Sequence, residues 1–158
     1  MRERTGLRWL WVSVIVLLLD RFSKYLALEH LPPYSEVPIC PHFNLALSYN
    51  TGAAFSFLDS ASGWQTIFFG VIAAVVSIAI LIWLAKLPFK QKWLGFSLAL
   101  ILGGALGNLS DRLMYGHVID FIQLYYNHWY WPTFNVADSA VCVGAFMLFI
   151  EAAFFKKK

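Results

Sequence analysis

Five polar side chains sit where an otherwise apolar sequence makes them costly to place: Asp20, Asn50, Asn108, Asp120 and Asp138. Asp120 and Asp138 hold the most chemistry. Two carboxylates kept close together cannot both ionise readily, so they share a proton and titrate as a pair. The ionised member can take a proton from water while the other donates to a carbonyl oxygen. Peptide hydrolysis can then run without a metal or a covalent intermediate. Serine nucleophiles are poorly served, since Ser139 has no Lys or His near it in sequence and Ser23 and Ser110 have no obvious base. His30, His42, His117 and His128 lack ligand spacing and no Cys/His cluster occurs, so no metal or other cofactor is expected. The plainer reading of Asp138 stays open: an aspartate at a helix start caps it or answers its dipole.

The remaining polar positions have two readings each. Asp20 and Lys24 lie four apart on one helix face and either pair with each other or line a site. Asp111 and Arg112 close an apolar run as a boundary pair would. Arg112 is also the one basic residue on its side of the chain besides Arg21 and Lys24, which suits an anchor for a phosphate or carbonyl group. Gly103, Gly104 and Gly107 include a Gly-x-x-x-Gly spacing, the mark of close helix packing. The aromatic cluster Tyr125–Trp131 reads as anchoring at a membrane–water boundary.

The elements that carry these residues follow from composition. Of 158 residues, 59% are apolar and only 13% charged, against about 25% charged in a typical soluble chain. A soluble domain of this length cannot hide so much apolar surface. The expected fold is an all-α integral membrane protein, one domain over 1–158, with spans at about 7–28, 64–85, 93–110 and 136–155. The first, interrupted by Asp20, Arg21 and Lys24, lacks an Ala-x-Ala-like cleavage site and reads as an uncleaved span. Nine of the twelve basic residues (Arg2, Arg4, Arg8, Lys86, Lys90, Lys92 and Lys156 to Lys158) fall on one side, which the positive-inside rule makes cytoplasmic. Both termini are then inside, and the loops 29–63 and 113–135 face outward. At about 1.5 Å per helical residue, Asn108 lies about 24 Å above the cytoplasmic edge and Asp20 about 18 Å. With Asn50, Asp120 and Asp138, they converge on the outer half of the bilayer, whereas Glu151 falls near the inner edge.

The outer loops have strand character. His42 to Leu58 alternates partially around a central Asn-Thr-Gly and suits strand–turn–strand, and Val118 to Trp131 is β-prone and aromatic. A small β-cradle on the outer face is expected. Cys40 and Cys142 belong at different depths, which disfavours a disulfide. A net charge of +3 is too weak to suggest nucleic-acid binding.

Five pieces carry a resemblance: DRFSK (Asp20–Lys24), NTGAAFS (Asn50–Ser56), GGALGNLSDR (Gly103–Arg112), VIDF (Val118–Phe121) and FNVADS (Phe134–Ser139). In this order on a four-span chain, they resemble the lipoprotein signal peptidase family (signal peptidase II), aspartyl proteases of the bacterial inner membrane. The resemblance implies removal of signal peptides from prolipoproteins by cleavage before a diacylglyceryl-modified cysteine. It implies Asp120 and Asp138 as the catalytic dyad. Asn50, Gly52, Asn108, Arg112, Asn135 and Ala137 would hold the substrate, with Asp20, Lys24 and Gly104 supporting the site. Membrane lipid around a monomer, and block by globomycin-like cyclic peptides, are implied too.

Two other classes compete. A proton-coupled transporter also keeps carboxylates in the membrane, but tends to place them near the midplane and to show repeats. A structural subunit needs no paired carboxylates. Replacing each Asp by Asn separates the three.

Overall fold

The computed structural model of the chain describes residues 5–33, 35–52 and 63–154. Among these are four α-helices: α1 Leu10–His30, α2 Trp64–Lys86, α3 Lys92–Tyr115 and α4 Val136–Phe154. Four strands accompany them: β1 Glu36–Cys40, β2 Phe43–Asn50, β3 Val118–Tyr126 and β4 Trp129–Tyr130. A 3-10 turn, Gly6–Trp9, leads into α1. Helices α2, α3 and α4 are each long and apolar enough to cross a membrane. Helix α1 is longer than α4 but carries Asp20, Arg21, Lys24 and Glu29. Ile67, Val71 and Val75 on α2, and Phe146 and Phe149 on α4, face outward. Only lipid satisfies so broad an apolar surface. The chain is a multi-pass membrane protein.

Helix α3 is the centre of the bundle, packing on each of the other three. Leu84 of α2 and Leu98 and Leu102 of α3 form one core; Val12 and Val16 of α1, Ala99 of α3 and Ala140 of α4 form a second. The close approach expected of the glycines is present. A Cβ at Gly103 would lie 2.7 Å from Val16 Cβ, and one at Gly104 would strike the Ala137 carbonyl oxygen.

Helix α3 runs to Tyr115, five residues past the end expected for the third span, so the loop begins at Gly116 rather than residue 113. Ser110, Asp111 and Arg112 break the hydropathy but not the helix, because Asp111 is buried among charged partners inside the protein. The stop is conformational: Gly116 is left-handed (φ 76°), and its N–H donates to the Arg112 carbonyl at 3.1 Å.

The strands form one antiparallel sheet in the order β1-β2-β3-β4. Its tight turns fall at Pro41–His42 and Asn127–His128, with His42 and Asn127 at positive φ. Strand β2 was expected to turn back at Asn-Thr-Gly. Instead its hairpin partner is β1, upstream, and its other neighbour is β3; the expected second strand falls within 53–62, outside the described residues. Ala27 of α1 and Leu31, just past its end, pack against Phe121 of β3 and join sheet to bundle. Cys40 is on β1 and Cys142 on α4, both exposed and unpaired.

Candidate active site

Asp120 and Asp138 come from different elements and meet at the seam between sheet and bundle. Asp120 is the third residue of β3, in a run, Val118 to Phe121, that is buried throughout. It lies opposite Ser48 of β2, two residues before Asn50 at the end of that strand. Asn50 Nδ2 donates to Asp120 Oδ2 at 3.1 Å, and its Oδ1 accepts the Gly52 N–H at 3.1 Å, which closes the chain round the asparagine.

Asp138 is the third residue of α4, and Asn135 stands immediately before the helix. The two bond reciprocally. The Asp138 N–H donates to Asn135 Oδ1 at 2.9 Å, and the Asn135 N–H donates to Asp138 Oδ2 at 3.2 Å. This is a capping box with aspartate in the place usually held by Glu or Gln. Asn135 therefore does the capping, and Asp138 answers it from inside the helix. With its Oδ1 so used, Asn135 turns its Nδ2 towards Asp120 Oδ1, 2.7 Å away. One asparagine thus binds both carboxylates.

Asn108 of α3 completes the ring. Its Nδ2 donates to Asp138 Oδ1 at 2.6 Å, while its Oδ1 accepts from Lys24 Nζ and from Asn135 Nδ2, both at 3.2 Å. Lys24 can only donate, which fixes the way this amide faces. Asp138 thus accepts from both Asn108 Nδ2 and the Asn135 N–H. Asp120 is almost wholly buried, and burial pushes its carboxyl up to about 7, helped by the charge of Asp138 and opposed by Asn50, Asn135 and the Lys24 ammonium. The arrangement sets a carboxyl that keeps a proton near neutrality, Asp120, beside a second carboxylate held by the Asn108 amide and the Asn135 N–H.

The other expected residues fall around this centre. Arg112 reaches back to the Asn108 carbonyl (3.4 Å), with its guanidinium 5.7 Å from the centre of the Phe69 ring. Its Nε is buried with no hydrogen-bond partner among the described residues. Ala137 is fully buried: its N–H donates to Asp20 Oδ1 at 2.9 Å and its carbonyl faces Gly104, so its place is in the frame of the site rather than on its open surface. Asp20 and Lys24, both buried, lie under the dyad.

Asp111 was read as half of a boundary pair with Arg112, and its environment differs from that. It is fully buried, forms ion pairs with Arg21 and with Lys24 (2.7 Å), and accepts the Ile119 N–H at 3.3 Å. The signal was available as charge arithmetic. Asp20, Arg21 and Lys24 leave one positive charge uncancelled in an apolar helix, and Asp111 is the carboxylate of α3 that can meet it. Thr66 was also missed; its hydroxyl lies 3.1 Å from the Thr51 carbonyl and 2.8 Å from that of Gly116, tying the start of α2 to the ends of both site-bearing loops.

Fold and site together define a membrane protein that brings two carboxylates together where its sheet meets its helix bundle. Comparison with known proteins narrows this. Residues 12–154 match the family model for signal peptidase (SPase) II, and the chain belongs to that family of peptidases. Among similar relatives, the lipoprotein signal peptidase of Alteromonas mediterranea is 50% identical over 149 residues, covering 94% of this chain and 82% of that one. That of Photorhabdus laumondii is 50% identical over 148 residues (94% and 89%), and that of Coxiella burnetii 51% over 142 residues (90% and 87%). A bacterial membrane enzyme solved by the in meso method at 2.3 Å superposes with a TM-score of 0.83 at 27% identity, covering 100% of this chain and 98% of that one. A second, at 1.9 Å, gives 0.83 at 26%, covering 98% of each.

Proposed function

We propose that the chain removes signal peptides from prolipoproteins as an aspartyl endopeptidase, cutting before a diacylglyceryl-modified cysteine with Asp120 and Asp138 as its dyad. The observation that carries this reading is that one residue, Asn135, holds both carboxylates, Asp138 by its backbone N–H and Asp120 by its side-chain amide. Asp120 starts protonated and Asp138 ionised. Asp138 takes a proton from water as the water oxygen bonds to the scissile carbonyl carbon, and Asp120 gives its proton to the carbonyl oxygen. On collapse, the C–N bond breaks and Asp138 passes its proton to the departing nitrogen. Asp120 recovers a proton from the hydroxyl as the new carboxyl forms. Gly52, Arg112 and the asparagine amides bind the substrate around the dyad, and Asp20, Lys24, Gly104 and Ala137 hold it in shape.

All four helices span the bacterial inner membrane, with both termini cytoplasmic and the sheet on the periplasmic side. The clustering of basic residues supports this orientation. The diacylglyceryl chains stay in lipid while the peptide crosses the dyad. The enzyme acts as a monomer of one domain, needs no cofactor and is blocked by globomycin-like cyclic peptides that occupy the dyad as substrate does.

The test is cleavage of a diacylglyceryl-modified prolipoprotein by purified wild type, Asp120→Asn and Asp138→Asn, each confirmed folded. Both variants should lose about 10²–10⁴-fold in rate, the worth of a positioned acid or base. Chelators should leave wild type unchanged. Full activity in either variant removes that residue from the mechanism, and a wild type that cuts nothing favours a proton carrier.

A further inference from the structure

We propose that Lys24 is a positioning residue for the dyad: its ammonium ties together the two buried carboxylates that hold the backbone just ahead of Asp120 and Asp138, and fixes the amide that faces Asp138. The proposal rests on the dyad reading above. Lys24 Nζ has three donors and three acceptors in reach: Asp20 Oδ2 and Asp111 Oδ2, both at 2.7 Å, and Asn108 Oδ1 at 3.2 Å. Each carboxylate also holds a backbone N–H, and Asp111 pairs through its other oxygen with Arg21. Asp20 accepts the N–H of Ala137, the residue before Asp138. Asp111 accepts the N–H of Ile119, the residue before Asp120. One ammonium group therefore links the two backbones ahead of the aspartates, with Arg21 as a second cation on Asp111. The third acceptor, Asn108, carries the same influence directly to Asp138 Oδ1.

Stability alone does not account for this cluster. Asp20, Lys24 and Asp111 are essentially inaccessible to solvent. Burying such charges costs about as much as their attraction returns, and apolar replacements of buried pairs are often neutral or stabilising. The helices are nevertheless shaped to accommodate them. A Cβ on Gly107 would sit 2.7 Å from Asp20 Oδ2, so α3 leaves room for this carboxylate.

Lys24→Met and Lys24→Arg provide the test, each checked by thermal unfolding and by kcat, KM and the pH profile of cleavage. Arg keeps the charge and can still pair with both carboxylates, but its planar fork does not reproduce the compact three-way ammonium. A merely structural ion pair is rescued by Arg; a positioning role is not. Both variants should show kcat lower by about 10–100-fold, the scale of a small misplacement of reacting groups, with KM near wild type. Asp120 is faced by Asp138 from α4, Arg112 from α3 and Lys24 from α1. Loss of the ammonium in Lys24→Met should therefore move the alkaline limb to higher pH. Either variant folded with wild-type kcat and pH profile overturns the proposal and leaves the dyad standing. Failure of both to fold makes Lys24 a residue of stability and overturns it equally. An active Asp120→Asn instead overturns the dyad itself.

Discussion

Asn135 and Asp138 bond to each other twice at the head of α4, backbone to side chain in both directions. The same aspartate thus answers the helix cap from inside and is joined through Asn135 to Asp120. The two roles separate on extension of the side chain. Glu is the usual partner in a capping box, so Asp138→Glu should keep thermal stability within about 1 kcal/mol of wild type. Its carboxyl moves by one methylene, and cleavage should fall about 10²-fold. Calorimetry beside a single-turnover assay reads both; a variant of full activity would take Asp138 out of the reacting geometry.

The pH profile should carry the mark of Asp120. Its carboxyl, held up to about 7, keeps the required proton below that pH and loses it above. Cleavage should decline as pH rises through about 7. Asn50 donates to the carboxylate form and so favours its ionisation. Asn50→Leu removes that preference, and the alkaline limb should move to higher pH, whatever happens to the maximal rate. A limb that stays fixed or moves down contradicts this environment.

Two glycines should respond oppositely to alanine. At Gly104 a Cβ meets the Ala137 carbonyl and lies 2.7 Å from Val141 Cγ2; at Gly70 the nearest atom is 3.9 Å away. Gly104→Ala should cost about 1–3 kcal/mol through overpacking. Gly70→Ala should be neutral or gain up to about 1 kcal/mol from helix propensity. Thermal unfolding in detergent compares them; equal effects would mean that α3 and α4 are not in close contact.

Thr66 offers one hydroxyl proton to two carbonyls, those of Thr51 and Gly116. Thr66→Val keeps the shape and loses the tie, at about 0.5–1.5 kcal/mol. Because Thr51 lies between Asn50 and Gly52, the loss should appear in cleavage as roughly a 2- to 10-fold decrease, with Thr66→Ser near wild type. An unaltered Thr66→Val would leave the start of α2 without influence on the site.

The helices and the strand character of the segments between them were readable because hydropathy and alternation act over many residues. α2 begins and ends within one residue of its expected bounds. The end of α3 was not, since the polar run Ser110–Arg112 is answered by Arg21 and Lys24 on another helix. Pairing of β2 with β1 was missed for a local reason: Asn-Thr-Gly was the more conspicuous turn signal, while the turn used is Pro41–His42. Asp120 and Asp138 stood out as carboxylates, but nothing in spacing says that Asn135 joins them. That contact depends on which way one amide faces after the helix has capped itself.

The pairing of Arg21 with Asp111 joins positions 90 apart in the chain. In the four-span reading, this separation sets an order of assembly. A helix with three clustered charges is synthesised well before its counter-ion exists. Asp20 and Lys24, one turn apart, neutralise each other from the start, whereas Arg21 has no such neighbour and is expensive within lipid until α3 arrives. On that reading the first helix should settle at full depth only once α3 is in place. Docking of α3 would then be an electrostatic closing step that makes the first helix at home in the bilayer before β3 and α4 bring the two aspartates of the site.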